Sequence, residues 1–141
     1  MHEAVSPDLA GRIDLDALLR HFYGRALHDP LLRPVFVDVA QMDLEAHLPR
    51  IVAFWDKVLF NTGGYDGRVM QVHQRLHEQL PLTGAHFERW LVLWRESLDA
   101  LFAGPVVEQA DAHARRMAAA FLRHLQAPQP RRSLSVVPLR S

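Results

Sequence analysis

Apolar residues recur at helical spacing in stretch after stretch of this chain, and prolines and glycines cut the stretches apart. From Ile13 to His28 the apolar positions are Ile13, Leu15, Leu18, Leu19, Phe22, Tyr23 and Leu27, one face of a helix. Asp29-Pro30 stops that helix and Pro34 breaks the chain again, so residues 29–42 read as a turn-rich connection. Asp43 is a fair N-cap for a second helix to about Phe60, with Leu44, Leu48, Ile51, Val52, Trp55 and Leu59 in its stripe. Pro49 lies inside that pattern, so the helix either starts later or bends there. After the break at Asn61-Thr62-Gly63-Gly64, residues 65–80 carry a weaker pattern through Val69, Val72, Leu76 and Leu80, closed by Pro81. Thr83 can cap a strong helix from Gly84 to Phe102, with Phe87, Trp90, Leu91, Trp94 and Leu98 on one face. Gly104 ends it, and Pro105 suits the first turn of a last helix reaching about Gln126. No strand run and no internal repeat interrupts this order. The expectation is an all-α domain of about five helices.

The domain is bounded by two plain segments. Residues 1–12 read as a loose polar lead-in, residues 13–126 as the folded domain, and residues 127–141, with Pro128, Pro130 and Pro138, as a flexible tail. At 141 residues the chain is the size of one domain and can enclose one cofactor. Its 16 basic and 16 acidic residues balance, so charge gives no reason to expect nucleic acid or an anionic membrane as partner. Cysteine is absent, which excludes disulfides, zinc thiolates, iron–sulfur clusters and thiolate nucleophiles together. No signal pattern and no membrane-length apolar run is present, and a cytoplasmic location is expected. Histidine is the outlier, with nine residues.

Several chemistries are excluded by what the motifs lack. Gly63-Gly64 stands without the lysine of a phosphate loop, and there is no Gly-x-Ser-x-Gly elbow. His73 and His77 share a helix face four residues apart, as zinc helices require. Gln74, Arg75 and Leu76 lie between them, so no glutamate is placed as general base. The aromatics say more. Phe22-Tyr23, Phe36, Phe54-Trp55, Phe87, Trp90 and Trp94 fall on four segments. Such a set serves as core, or as the walls of a slot for a flat apolar ligand. In the second case a neighbouring histidine becomes a candidate for iron.

The strings His21-Phe22-Tyr23, Asp29-Pro30-Leu31-Leu32-x-Pro34-x-Phe36, His47 followed by Phe54-Trp55, Tyr65-x-Gly67 followed by His73, and His86-Phe87-x-Arg89-Trp90-Leu91 resemble the group III truncated haemoglobins. The resemblance runs from about residue 14 to 125 and lies in the order and spacing of the strings. It implies a shortened globin, two helices stacked over two around a haem. It also implies a role for each matched residue: His73 the proximal iron ligand, Phe36 flat on the haem, Tyr23 and Trp90 distal hydrogen-bond donors, and His47 a distal-pocket histidine that contacts the ligand or gates entry. Counting back from Leu80-Pro81-Leu82-Thr83 and His86-Phe87 selects His77 instead, one helical turn away. His73 is preferred because an extra turn is more easily absorbed after the ligand, in the connection.

Without cysteine a covalent thioether link is impossible, so the haem expected is b-type. The implied ligands are dioxygen, nitric oxide and related small molecules, and turnover needs a separate reductase. Two distal donors favour nitric oxide or peroxide chemistry over oxygen transport. A monomer is expected. Competing readings are a haem-based sensor or redox module without turnover, and a haem-free helical interaction domain. In the plainer reading Tyr23 is a core tyrosine satisfied by a backbone carbonyl, and His47 lies on the surface. His86 is expected to cap its helix, and His21, His28, His113 and His124 to be ordinary surface residues.

Overall fold

A computed structural model describes residues 6–39, 43–61, 73, 75, 77, 78 and 81–126. Among the described residues four α-helices are complete: α1 (Arg12–Ala26), α2 (Leu44–Phe60), α3 (Gly84–Leu101) and α4 (Pro105–Gln126). A π-helical segment, Pro34–Val39, lies inside what the sequence marked only as a connection. Of the expected helix 65–80, His73, Arg75, His77 and Glu78 are described and are helical. The rest of that helix and the 127–141 tail lie outside the described residues.

The helices pack as two pairs. α1 lies against α2 and α3 against α4, while α1–α3 and α2–α4 contacts join the pairs. One core runs through all four helices. Leu15, Leu18, Leu19 and Phe22 of α1 meet Leu48, Val52 and Trp55 of α2, Leu93, Trp94 and Leu98 of α3, and Val107, Ala110 and Ala114 of α4. The helical spacing selected most of these positions, but not Leu93 or Val107, and it selected Ile13, which is exposed. A smaller cluster of Val35, Leu82 and Leu125, with Phe87 against it, secures the chain around the π-helical segment. Among the described residues no helix is long and apolar enough to cross a membrane.

The helix ends follow local chemistry. The Asp43 side chain accepts a long 3.5 Å hydrogen bond from the Ala46 amide at the start of α2. The helix then runs through Pro49, whose missing N–H leaves the Glu45 carbonyl without its usual donor. Asn61 closes α2 in the left-handed conformation at φ 55°. At α3 the Thr83 amide donates to His86 Nδ1 at 3.0 Å, so the imidazole takes the place of the usual capping glutamate.

α4 is capped from far away. The residue before Pro105 is Gly104, which has no side chain to offer. The Asp8 carboxylate fills the gap, accepting from the Val106 and Val107 amides at 2.9 and 3.0 Å. The Ala103 amide donates to the Pro7 carbonyl at 2.9 Å, and Leu9 is buried in the core. Pro7–Leu9 are therefore fixed to the fold rather than part of a loose lead-in.

Candidate functional site

Tyr23 and Phe22 are neighbours on the last turns of α1, yet both rings are buried. They sit edge to face at 4.8 Å. Phe36, in the π-helical segment, stands edge-on to Tyr23 at 5.6 Å. Trp90 of α3 approaches Phe22 from the other side, also at 5.6 Å. The structure thus gathers Tyr23, Phe36 and Trp90 around one buried phenylalanine.

The polar ends of this group matter most. Tyr23 is 8% exposed, and burial pushes its phenol pKa up, so it stays a protonated donor. Among the described residues its hydroxyl has no hydrogen-bond partner. The backbone carbonyl that would make it a satisfied core tyrosine is not found there. The Trp90 indole N–H has no acceptor among the described residues either, whereas Trp94, one turn on, donates to the Ala110 carbonyl at 3.4 Å. Trp90 is half-buried, so its N–H and the Tyr23 hydroxyl lie at the edge of the core, where a bound group could meet them.

A clamp that the sequence reading did not single out holds Phe36 near Trp90. Asp29, read there only as a helix stop, is buried, and its Oδ2 accepts from the Leu31 and Leu32 amides at 3.1 and 3.2 Å. Its Oδ1 accepts from Arg89 Nε at 2.7 Å. Burial alone would raise the Asp29 pKa; Arg89 and the two amides outweigh it and hold the carboxylate below its ordinary value. The loop leading to Phe36 is thereby tied to the helix carrying Trp90. Both residues of the pair stood in the ordered strings, but nothing in the sequence paired them.

The histidines are engaged in different ways. His73 is half-buried, its ring 4.5 Å from Phe121 of α4. His77 accepts the Leu82 amide on Nδ1 at 2.9 Å. His47 is exposed, and its Nδ1 lies 3.0 Å from the Asp43 carbonyl of its own helix start. The described contacts of His47 and His73 do not lead into the Tyr23–Phe36–Trp90 group. His28 and His124 are exposed as expected. His21 instead shares a 3.1 Å hydrogen bond with the fully buried Ser97, and His113 packs edge-on against Trp55 at 5.7 Å. A surface depression of about 460 Å³ opens beside Leu31, Val92 and Arg115, and Tyr23, Phe36 and Trp90 do not line it. No group of three or more side chains able to hold a bare metal ion occurs among the described residues.

No family model matches the chain. It is 30% identical over 88 residues to a group 3 truncated haemoglobin of Campylobacter jejuni, covering 60% of this chain and 67% of that protein. The crystal structure of a group III truncated haemoglobin from Campylobacter jejuni superposes with a TM-score of 0.76 at 25% identity, over 86% of this chain and 95% of that one.

Proposed function

The chain belongs to the group III truncated haemoglobins, and from that premise we propose that it binds a b-type haem with His73 on the iron and Tyr23 and Trp90 facing the iron-bound ligand. The observation that carries this reading is the Tyr23 phenol, kept protonated by burial and flanked by Phe36, with Trp90 near it across Phe22. The surroundings fit a flat apolar group with one polar centre. Phe36 offers a ring beside Tyr23, and Trp90, across Phe22, offers a second N–H.

The tautomer of His77 argues against it as the iron ligand, and the spacing from Tyr65-x-Gly67 selects His73. Iron takes the lone pair of a neutral imidazole, in globins from Nε2, while Nδ1–H donates to a nearby acceptor. His77 uses its Nδ1 lone pair to accept the Leu82 amide, so its proton sits on Nε2, the wrong nitrogen for that role. The His73 ring packs against Phe121 of α4. His47, exposed and placed against its own helix start, suits an entrance better than a contact with the ligand.

Bound haem would supply an iron that takes dioxygen, nitric oxide and related small ligands. The chain's part is to orient and hold. Tyr23 and Trp90 donate to the outer atom of the ligand and stabilise charge that develops there. Such holding slows release, which suits reaction with nitric oxide or peroxide rather than oxygen transport. Electrons for turnover come from a separate donor.

Replacing Tyr23 by Phe tests the reading. Losing one strong hydrogen bond of about 1.5 kcal/mol should speed dioxygen dissociation about tenfold. An unchanged rate in stopped-flow measurements would remove Tyr23 from the ligand.

A further inference from the structure

The three tryptophans of the chain are all in one stack. Trp90 and Trp94, a turn apart on α3, lie 5.5 Å between ring centroids with planes 8° apart. Trp94 and Trp55 of α2 lie 4.7 Å apart at 23°. Beyond Trp55 the imidazole of His113, half-buried on α4, stands edge-on at 5.7 Å. Phe22 covers the flank of the stack, 5.6 Å from both Trp90 and Trp94.

We propose that Trp90, Trp94 and Trp55 form a one-electron relay between the ligand side of the haem and the α4 face at His113. The proposal rests on the haem reading above, which puts Trp90 at the ligand. Leucine or phenylalanine would fill a core as well as indole does; indole is the apolar side chain that gives up an electron most readily. Coupling between rings falls steeply with distance, and these rings are in contact. The middle of the stack is sealed, with Trp94 at 1% and Trp55 at 3% exposure. The Trp94 N–H donates to the Ala110 carbonyl, which cannot take its proton. Oxidised Trp94 therefore keeps its proton and passes the hole on. Burial, with Arg116 nearby, lowers the pKa of His113, so a neutral ring rather than a cation lies against Trp55.

The electrons balance with hydrogen peroxide as oxidant. Peroxide takes up two electrons and two protons and leaves as two waters. Both electrons are drawn from Trp90, one after the other. Each time Trp94 refills Trp90, Trp55 refills Trp94, and an outside one-electron reductant such as ascorbate refills Trp55, so two reductant equivalents are used for each peroxide. If the reductant is withheld, Trp55 loses a second electron and water adds to its indole, which gains one oxygen and releases two protons.

The experiment treats the full ferric haem protein with hydrogen peroxide and no reductant. Freeze-quench electron paramagnetic resonance reads the radical, and mass spectrometry maps the added oxygen. A tryptophanyl signal and oxygen on Trp55 are expected in the unaltered protein. Trp94→Phe should keep its Soret band and oxidation at Trp90 but lose oxidation at Trp55. Undiminished oxidation of Trp55 in that variant overturns the relay. So does a tyrosyl signal alone, or oxygen confined to Trp90 in the unaltered protein. Should Trp94→Phe fail to fold, Trp55→Phe decides: oxygen should move to Trp94 and ascorbate oxidation should fall, and unchanged ascorbate oxidation overturns the relay. A chain that takes up no haem gives no Soret band at all, which sinks the haem reading and the relay with it.

Discussion

His73 and His77 are the same residue type on the same stretch of helix, and the hydrogen bond of His77 fixes where that imidazole carries its proton. The Leu82 amide fixes the Nδ1 lone pair of His77, so ligation from Nε2 would need that hydrogen bond broken and the proton moved. The expected outcome of substitution follows. His73→Gly should lose the histidine-ligated Soret spectrum and regain it when imidazole is added, while His77→Gly should keep it. The opposite pattern would move the iron to His77. Spacing alone left both histidines open, because they differ by one helical turn. A backbone amide five residues beyond His77 is what ties up the Nδ1 of that histidine.

At the scale of elements, α4 shows how a local rule is met by a distant residue. Its first amides need an acceptor, and Gly104 supplies none. Gly104 also has φ 143°, and a Cβ there would lie 2.5 Å from the Asp8 Cγ. The glycine both adopts a conformation closed to other residues and leaves room for the carboxylate. Asp8→Ala should cost about 1 kcal/mol, read as a lower urea midpoint, as expected for loss of a helix cap. A midpoint equal to that of the unaltered protein would show that the Asp8 bonds contribute nothing. The π-helical segment is the complementary case. The prolines flanking residues 29–42 announced a break, and no periodicity marked the wider turn at Pro34–Val39 that carries Phe36.

Across the whole molecule, the two shifted imidazoles and the Asp29 carboxylate agree in sign. Burial lowers the pKa of His86, and burial with Arg116 lowers that of His113, from an ordinary 6.5. Over that window the unfolded chain binds more protons than the folded one, so stability rises with pH. Their contribution is complete above 6.5 and is lost as pH falls through the lower folded values. Asp29, held below its ordinary 3.8, adds a second loss in stronger acid, as pH falls through its folded value. Protonating His86 also removes the acceptor that the Thr83 amide uses. Urea midpoints should therefore fall between about pH 8 and about pH 5. A flat profile over that range would show that neither imidazole is held neutral by the fold. By itself the sequence determined the all-helical class, most helix limits, the family strings and the aromatic positions, because apolar period, proline, glycine and caps act over a few residues. The tertiary structure decided the rest: that no carbonyl among the described residues pairs with Tyr23, that Asp29 grips Arg89, that Asp8 caps α4, and that three indoles form one stack. Each of those depends on which groups from distant parts of the chain come within a few ångströms, and only packing of the helices fixes such distances.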